Sequence, residues 1–373
     1  MKAAVVTGIV TPYTHRLFET LGDRLGGELQ VLACSDLEPG RHWVLPRAAK
    51  YKRRVLRGLR LHRSYVSHVY VNPGIVPALI GAGFDVITIC DFSPTMLMAA
   101  ATGLAMGVPL VIQTDAQPET DPGQWSRAHR LARQLVVPRC RIGLGASRGS
   151  LAVLETYGLP PERGVLAPLA PGWSFAGALP PFEARRFDLM FCGHLDDERK
   201  GLLFFLDVVD ACIARGFMPR VRVTGEGPLR GVAEVRFHRA GVDAVFDGYL
   251  PQEALGEAYS SAKLLLFPSR GDPWGLVANE ALQCGTPVIV SPHARVAHEL
   301  VAPFGAGAVL DLAVERWTDE VFRVLFERPI WQTAHRQAVA ASRSFSVETM
   351  AAGFLDAFVR AAAGRSDPVG QPG

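Results

Sequence analysis

Ser269-Arg270-Gly271-Asp272-Pro273-Trp274-Gly275-Leu276-Val277-Ala278-Asn279-Glu280-Ala281-Leu282, followed by Cys284-Gly285-Thr286-Pro287-Val288-Ile289-Val290-Ser291, decides how the chain is read. The apolar run leading into it, Ala262–Ser269, reads as a strand; a Gly/Pro loop, a helix and a second strand at Pro287–Ser291 follow. Strand, loop, helix and strand in this order build a parallel sheet covered on both faces. Two carboxylates bracket the helix start. Asp272 stands on the loop, and Glu280 lies about two turns further along. A helix N-terminus has free N–H groups and the positive end of a dipole, so it favours phosphate oxygens. Taken alone, the same two residues also read as a helix cap and a solvated surface charge.

Outward from this segment the rhythm repeats. Lys2–Val10, Glu28–Cys34, Phe84–Cys90, Pro109–Thr114 and Arg141–Ala146 form one set of β-branched runs alternating with helical stretches. Phe187–Gly193, Arg220–Gly225, Val245–Leu250, Ala262–Ser269, Pro287–Ser291 and Ala308–Leu312 form another. Near-continuous apolar strands imply doubly wound α/β domains. Between the sets, Pro168 to Trp173 and then Pro180-Pro181 cannot continue a helix and read as a linker. We expect a domain over 1–175, a second over 176–345, a helix over 346–363 crossing back to the first, and a fraying tail over 364–373. Two such domains are expected to face a cleft, with ligands at the carboxyl ends of the strands.

Composition excludes several classes. With 373 residues, 49% hydrophobic and 20% charged, the chain buries sizeable cores and is not disordered. Its 39 Lys and Arg against 36 Asp and Glu are too balanced for a general nucleic-acid coat. Six scattered cysteines without a Cys-x-x-Cys pair argue against a disulfide framework or zinc knuckle, and fit a reducing cytoplasm. The opening run Met1–Gly8 reads as a strand rather than a signal peptide. Met96 to Ile112 reads as a buried helix followed by a strand rather than a membrane span.

The segment from Asp272 to Val290 resembles the Glu-x7-Glu signature of family 4 retaining glycosyltransferases of the GT-B fold, the group 1 glycosyl transferases. The resemblance implies that Asp272 lies by the donor sugar, with Pro273, Trp274, Gly275 and Leu276 around the donor, and that Glu280 accepts hydrogen bonds from the nucleotide ribose. Asp272 is one methylene shorter than the family's usual Glu. Phe191-Cys192-Gly193-His194-Leu195 with Arg199-Lys200-Gly201 resembles the family's Gly-Arg-Leu…Lys-Gly loop, which holds the donor diphosphate. Gly193 and Lys200 match it, His194 replaces the arginine, and Arg199 is a candidate second cation; an exposed basic pair is the bland alternative. Gly225-Glu226-Gly227-Pro228-Leu229-Arg230 fails as a dinucleotide fingerprint because Arg230 stands at the third glycine. It is similar instead to the family's Gly-x-Gly-Pro-Leu turn, and Asp247-Gly248-Tyr249-Leu250 to the segment that meets the base. Tight turns are a compatible reading of both.

In the amino-terminal half, the loop Gly8 to Tyr13 brings Thr11 and Tyr13 to the first strand end. Asp115 occupies the place where many relatives carry histidine. Asp115 and Asp91, each after a strand, read equally as groups orienting an acceptor hydroxyl or as helix caps. From Arg47 to Arg63 eight Lys or Arg residues occur without an acidic one, Arg53, Arg54 and Arg57 at the centre. Such a stretch suits an anionic membrane surface, a phosphate-bearing acceptor, or merely a solvated face.

The expectation is therefore a retaining glycosyltransferase moving a sugar from a UDP- or GDP-linked donor to a hydroxyl acceptor, saccharide or lipid-linked, in polysaccharide or glycolipid synthesis. Asp272, Lys200 and Asp115 are the expected catalytic residues. No cofactor and no metal are expected: the chain has no Asp-x-Asp to hold a divalent cation, so Lys200, Arg199 and loop amides must neutralise the diphosphate. The expected location is cytoplasmic, peripheral at the inner membrane face, and no nucleic-acid partner is expected. Rival readings are a catalytically silent nucleotide-sugar-binding protein of the same fold, an NAD-type oxidoreductase, and an exported solute-binding protein.

Overall fold

Apolar runs at the positions anticipated become the parallel strands of two sheets. The computed structural model describes residues 1–37, 45–64 and 67–363, and the tail over 364–373 lies outside them. The chain divides into one unit of Met1–Gly172 with Val347–Gly373 and another of Trp173–Ser346.

The first unit contains β1 (Ala3–Thr7), β2 (Leu29–Ala33), β3 (Lys52–Val55), β4 (Leu59–Ser64), β5 (Ser67–Val71), β6 (Val86–Ile89), β7 (Leu110–Thr114), β8 (Ile142–Gly145) and β9 (Gly164–Leu166). Seven of these form one parallel sheet, ordered β3-β2-β1-β6-β7-β8-β9, while β4 and β5 pair as an antiparallel hairpin. Every residue of β1 is buried, because helices cover both faces of the sheet. The helix Val347–Ala363 belongs to this unit and packs along the helix Pro12–Arg24. Its apolar face, Met350, Phe354 and Phe358, is at most 2% exposed. Each fully buried Phe or Met contributes about 1.5–3 kcal/mol.

The second unit contains β10 (Phe187–Cys192), β11 (Val221–Thr224), β12 (Ala244–Gly248), β13 (Ala262–Phe267), β14 (Val288–Val290) and β15 (Gly307–Val309), in the parallel order β12-β11-β10-β13-β14-β15. Period-two alternation divides β10 between two cores. Leu189 and Phe191 pack with Phe205, Phe237 and Trp317, whereas Met190 and Cys192 pack with Tyr259, Leu265 and Val290; Phe187, at the strand start, joins the second core out of that alternation. Arg185, fully buried, is satisfied by backbone oxygens of Pro180, Ala262, Cys284 and Gly285 and by the Thr286 hydroxyl; burial pushes its pKa down to about 10.

In both sheets the strand order reverses beside the first strand, between β1 and β6 and between β10 and β13. Loops leaving adjacent strands on the two sides of such a point open a crevice at the carboxyl ends.

The division between units falls at Gly172 and Trp173 rather than after residue 175. Side-chain chemistry explains the shift: the Trp173 indole donates to Glu280, and the Phe175 N–H donates to the Gln283 amide oxygen. The short strands β3, β4, β5 and β9 were not anticipated. β3 lies in the basic stretch, where charge hides the alternation of a half-buried strand, yet Tyr51 and Leu56 at its ends are each 5% exposed. Charge on an edge strand also discourages pairing with another chain.

Candidate functional site

The donor-side residues converge on the carboxyl ends of the second sheet. Gly193 follows β10, Gly225 follows β11, Tyr249 and Leu250 follow β12, and Asp272 lies on the loop after β13. Lys200, on the loop after β10, reaches across the switch point to Asp272, with Nζ 2.5 Å from Oδ2. Both side chains keep only about one seventh of their exposure, 15% and 14%. The loop that carries Lys200 is braced from inside: Asp196 Oδ1 accepts the Arg199 and Lys200 N–H groups at 2.9 Å each. From the other loop, the Ser269 hydroxyl and the Arg270 N–H donate to the Arg199 carbonyl. Asp272 Oδ1 in turn accepts the Trp274 N–H at 3.1 Å, an Asx turn that fixes the carboxylate on its own loop.

Backbone approach explains why two glycines stand here. A β-carbon on Gly225, whose φ is +135°, would lie 1.8 Å from the Gly193 carbonyl oxygen. Gly275, at φ +104°, begins the helix Leu276–Gln283, and its β-carbon would lie 2.7 Å from the Phe267 ring. Gly227 packs as closely against the Leu195 backbone. The Gly-x-Gly turn thus clamps the loops after β10 and β11 together.

Glu280 sits one turn into that helix, half-buried, with each carboxylate oxygen already holding one protein donor. Oε1 accepts the Trp173 indole N–H at 3.2 Å, and Oε2 accepts the Tyr259 hydroxyl at 2.8 Å. Tyr259 also lies 3.1 Å from Cys192 Sγ and stacks on Trp173. Burial pushes the Glu280 carboxyl above its ordinary range, and the two donors pull back against that shift. A carboxylate has about four lone-pair positions, so two remain for outside hydroxyls. Trp173 and Tyr259 escaped the sequence reading: neither lies near Glu280 in sequence, 107 and 21 residues away.

Other anticipated donor residues fall out differently. Trp274 is a correction: its ring is 3% exposed, packs against Phe345 and donates to the Asn279 side chain at 3.0 Å. Its indole holds the helix start and only its backbone faces the loop. His194, Pro273 and Tyr249 are exposed, and Arg199, Leu250 and Leu276 are half-buried. A larger open groove of about 830 Å3, walled by Ile213, Val232, Val235 and Arg236, lies on helix faces and holds none of these groups.

The first unit has its own crevice at the equivalent place. A cavity of about 280 Å3 is lined by Thr11, Tyr13, Asp91 and Asp115, the four residues anticipated there, together with Gln113. Thr11 caps the helix Pro12–Arg24 by accepting the Thr14 N–H. Asp91 Oδ1 accepts the Ser93 N–H at 2.7 Å, and burial raises its carboxyl above the ordinary range despite the fields of Arg133 and His129. Arg133 itself is held by Asp121 at 2.8 Å, both nearly inaccessible.

The three arginines of the basic stretch separate. Arg53 is half-buried and ion-paired with Asp36, a correction to its placement on a free basic surface. Lys50 likewise pairs with Asp23 at 3.1 Å. Arg54 and Arg57 remain exposed, beside Leu59 and Leu61 at 68% and 57% exposure. Among the described residues no helix is long and apolar enough to cross a membrane, and no cluster of three or more His, Cys, Asp or Glu side chains is placed to hold a metal ion.

Residues 186–325, within the second unit, match the family model of glycosyl transferases group 1. This segment holds the donor-side residues described above other than Trp173. Over 121 residues the chain is 32% identical to a GDP-mannose-dependent alpha-(1-6)-phosphatidylinositol dimannoside mannosyltransferase of Mycobacterium tuberculosis, covering 32% of this chain and 31% of that one. Over 146 residues it is 33% identical to a D-inositol 3-phosphate glycosyltransferase of Streptomyces bingchenggensis, covering 38% and 29%. These matches span about a third of the curated relatives' length. In structure the chain is similar to Anabaena HepE in complex with UDP, with a TM-score of 0.73 at 16% identity over 96% of this chain and 100% of that one. The architecture is that of the GT-B glycosyltransferases.

Proposed function

We propose that this protein is a retaining glycosyltransferase that moves a sugar from a nucleoside diphosphate donor to a hydroxyl acceptor. The observation that carries the reading is the Lys200–Asp272 pair at the switch point of a domain that matches the group 1 model, with Glu280 eight positions after Asp272 in the helix that follows. In this reading Glu280 receives the ribose hydroxyls, while Lys200 and Arg199 meet the diphosphate. A preorganised cation in a partly dry crevice stabilises the leaving group far better than a solvated one. As the acceptor oxygen bonds to the anomeric carbon, the bond from that carbon to the diphosphate oxygen breaks, and the hydroxyl proton passes to the departing diphosphate. Asp272 holds the Lys200 ammonium and faces the sugar. Neutralisation by Lys200, Arg199 and loop amides makes the transfer independent of metal and cofactor.

The acceptor group belongs to the first unit, at Asp91 and Asp115. Exposed Leu59 and Leu61 beside Arg54, Arg57 and Arg60 favour peripheral docking on anionic lipid, apolar side chains entering the headgroup layer while arginines meet phosphate. This surface suits the synthesis of a polysaccharide or glycolipid at the inner face of a membrane.

The test is a thermal-shift panel of nucleotides followed by assay of donor hydrolysis and transfer. A ligand of the native state raises the apparent stability, so UDP or GDP should raise Tm while NAD does not. Product anomeric configuration by NMR should match that of the donor, and EDTA should leave turnover unchanged. Nucleotide binding without hydrolysis or transfer would make the protein a silent binder.

A further inference from the structure

Each oxygen of the Glu280 carboxylate is held from a different element. The Trp173 indole N–H, at the residue where the chain enters the second unit, donates to Oε1 at 3.2 Å. The Tyr259 hydroxyl, near the end of the helix Gln252–Ser260, donates to Oε2 at 2.8 Å. Both donors are themselves fixed. Their rings stack, with centroids 6.5 Å apart and planes inclined at 17°. Tyr259 is fully buried, and its hydroxyl also meets Cys192 Sγ at 3.1 Å. Beyond the half-buried Trp173, the Phe175 N–H donates at 3.2 Å to the Gln283 side-chain oxygen, one turn along the helix from Glu280. The segment 173–175 is thus stitched to that helix at two side chains three residues apart, which lie on one helix face.

These contacts do more than occupy the carboxylate. The last torsion of a glutamate is broad, so an unheld carboxylate turns and presents either edge. A donor on each oxygen fixes that torsion and takes one of the two lone-pair positions there, leaving one on each oxygen. Two acceptor positions on neighbouring oxygens match a vicinal diol, whose hydroxyls donate side by side; a single hydroxyl uses only one of them. From this geometry we infer that Trp173 and Tyr259 are positioning residues that make Glu280 a reader of the ribose 2′,3′-diol and set a preference for a ribonucleoside diphosphate over its 2′-deoxy form. The inference rests on the transferase reading, in which Glu280 receives the ribose, and assigns the side chains that make that contact selective. An acceptor left without its hydroxyl in a half-buried site is penalised more than a filled one is rewarded, which is how a polar site rejects an analogue lacking one group.

The experiment uses the full chain and whichever of UDP and GDP raises its Tm, titrated by calorimetry beside the 2′-deoxy form of the same nucleotide. The wild-type protein should bind the ribose form at least about tenfold more tightly. Trp173→Phe keeps a ring to stack on Tyr259 and removes the N–H donor. It should reduce that ratio by about threefold to tenfold, chiefly by weakening the ribose form. In a Glu280→Ala background the same change should leave both affinities as they are, because the group it positions is gone. A tryptophan that only packs would cost the same in both backgrounds. The Tm of each variant is recorded, and Tyr259→Phe, which loses a single oxygen atom, carries the same comparison if Trp173→Phe does not fold. An unaltered ratio in the folded variant, equal costs in the two backgrounds, or a wild-type protein indifferent to the 2′-hydroxyl would overturn the inference. Any of these results with the nucleotide still bound leaves the transferase reading standing. If neither UDP nor GDP binds, that reading fails and the inference falls with it.

Discussion

The two switch points of this molecule share a topology and differ in the side chains that their described loops bring to them. Beside β1 and β6, the described loops present Asp91, Asp115 and a series of hydroxyls. Beside β10 and β13, the loops set Lys200 against Asp272 and place Arg199 next to them. A doubly wound sheet supplies a crevice wherever its strand order reverses; the loops decide what the crevice can hold. The lesson is that one repeated architecture gives two crevices of unlike side-chain chemistry, an ion pair of Lys200 with Asp272 in one and two carboxylates among hydroxyls in the other.

The largest effect that would sharpen this contrast is expected from Lys200→Ala. Losing a preorganised cation at a departing diphosphate should cost about 2–4 kcal/mol in transfer, chiefly in kcat. Combining it with Asp272→Asn should cost less than the sum of the single changes, because the residues form one ion pair at 2.5 Å. Strict additivity in the double-mutant cycle would show that the pair does not act as a unit.

Next in size is Glu280→Gln, which should weaken nucleoside diphosphate binding by about 1.5–3 kcal/mol, the range for hydrogen bonds to a charged group. Tyr259→Phe should act in the same direction and less strongly, since it removes a donor that fixes Glu280 rather than a contact with the ligand. Calorimetry with free UDP and GDP reads both. Unchanged affinity in Glu280→Gln would remove this residue from the donor site and leave the contrast without its ribose partner.

A pH profile probes the same carboxylate. Burial raises the Glu280 carboxyl above its ordinary range, so the folded protein binds that proton more tightly than the unfolded chain does. Its contribution to stability is thus fully present below the unfolded value and is lost as pH rises through the folded one. Ribose binding needs the ionised form and runs the other way. Nucleotide affinity should fall on acidification at a pH above the ordinary carboxylate range, and Glu280→Gln should flatten that limb. An identical limb in both proteins would assign it to another group.

The smallest effect concerns the surface of the first unit. Cosedimentation with anionic vesicles should fall when Arg54 and Arg57 become glutamine or Leu59 and Leu61 become serine, and should fall with salt as the Debye length shrinks from about 10 Å at 0.1 M. Arg53→Gln should matter less, because Arg53 is paired with Asp36. Binding equal on neutral and anionic vesicles would make this a solvated face.

The sequence by itself determined the two sheets, because buried parallel strands must be apolar along their length and Gly/Pro loops must separate them. It also marked Asp272, Lys200 and Glu280, whose spacing lies within single strand-loop-helix units. Only the tertiary structure decided what each side chain touches. Trp274 and Trp173 are both tryptophans in Pro/Gly-rich stretches; one became core beneath Phe345 and the other a donor to Glu280. Arg53 and Arg54 are adjacent and alike, yet alternation along an edge strand turned one towards Asp36 and left the other exposed. The cavity of the first unit is drawn from β1, β6, β7 and the helix Val347–Ala363, elements up to about 350 residues apart, which no local pattern could join. Local spacing fixes periodicity and loop chemistry; long-range packing alone fixes which partners meet, because it depends on sheet order and on which face each strand turns inward.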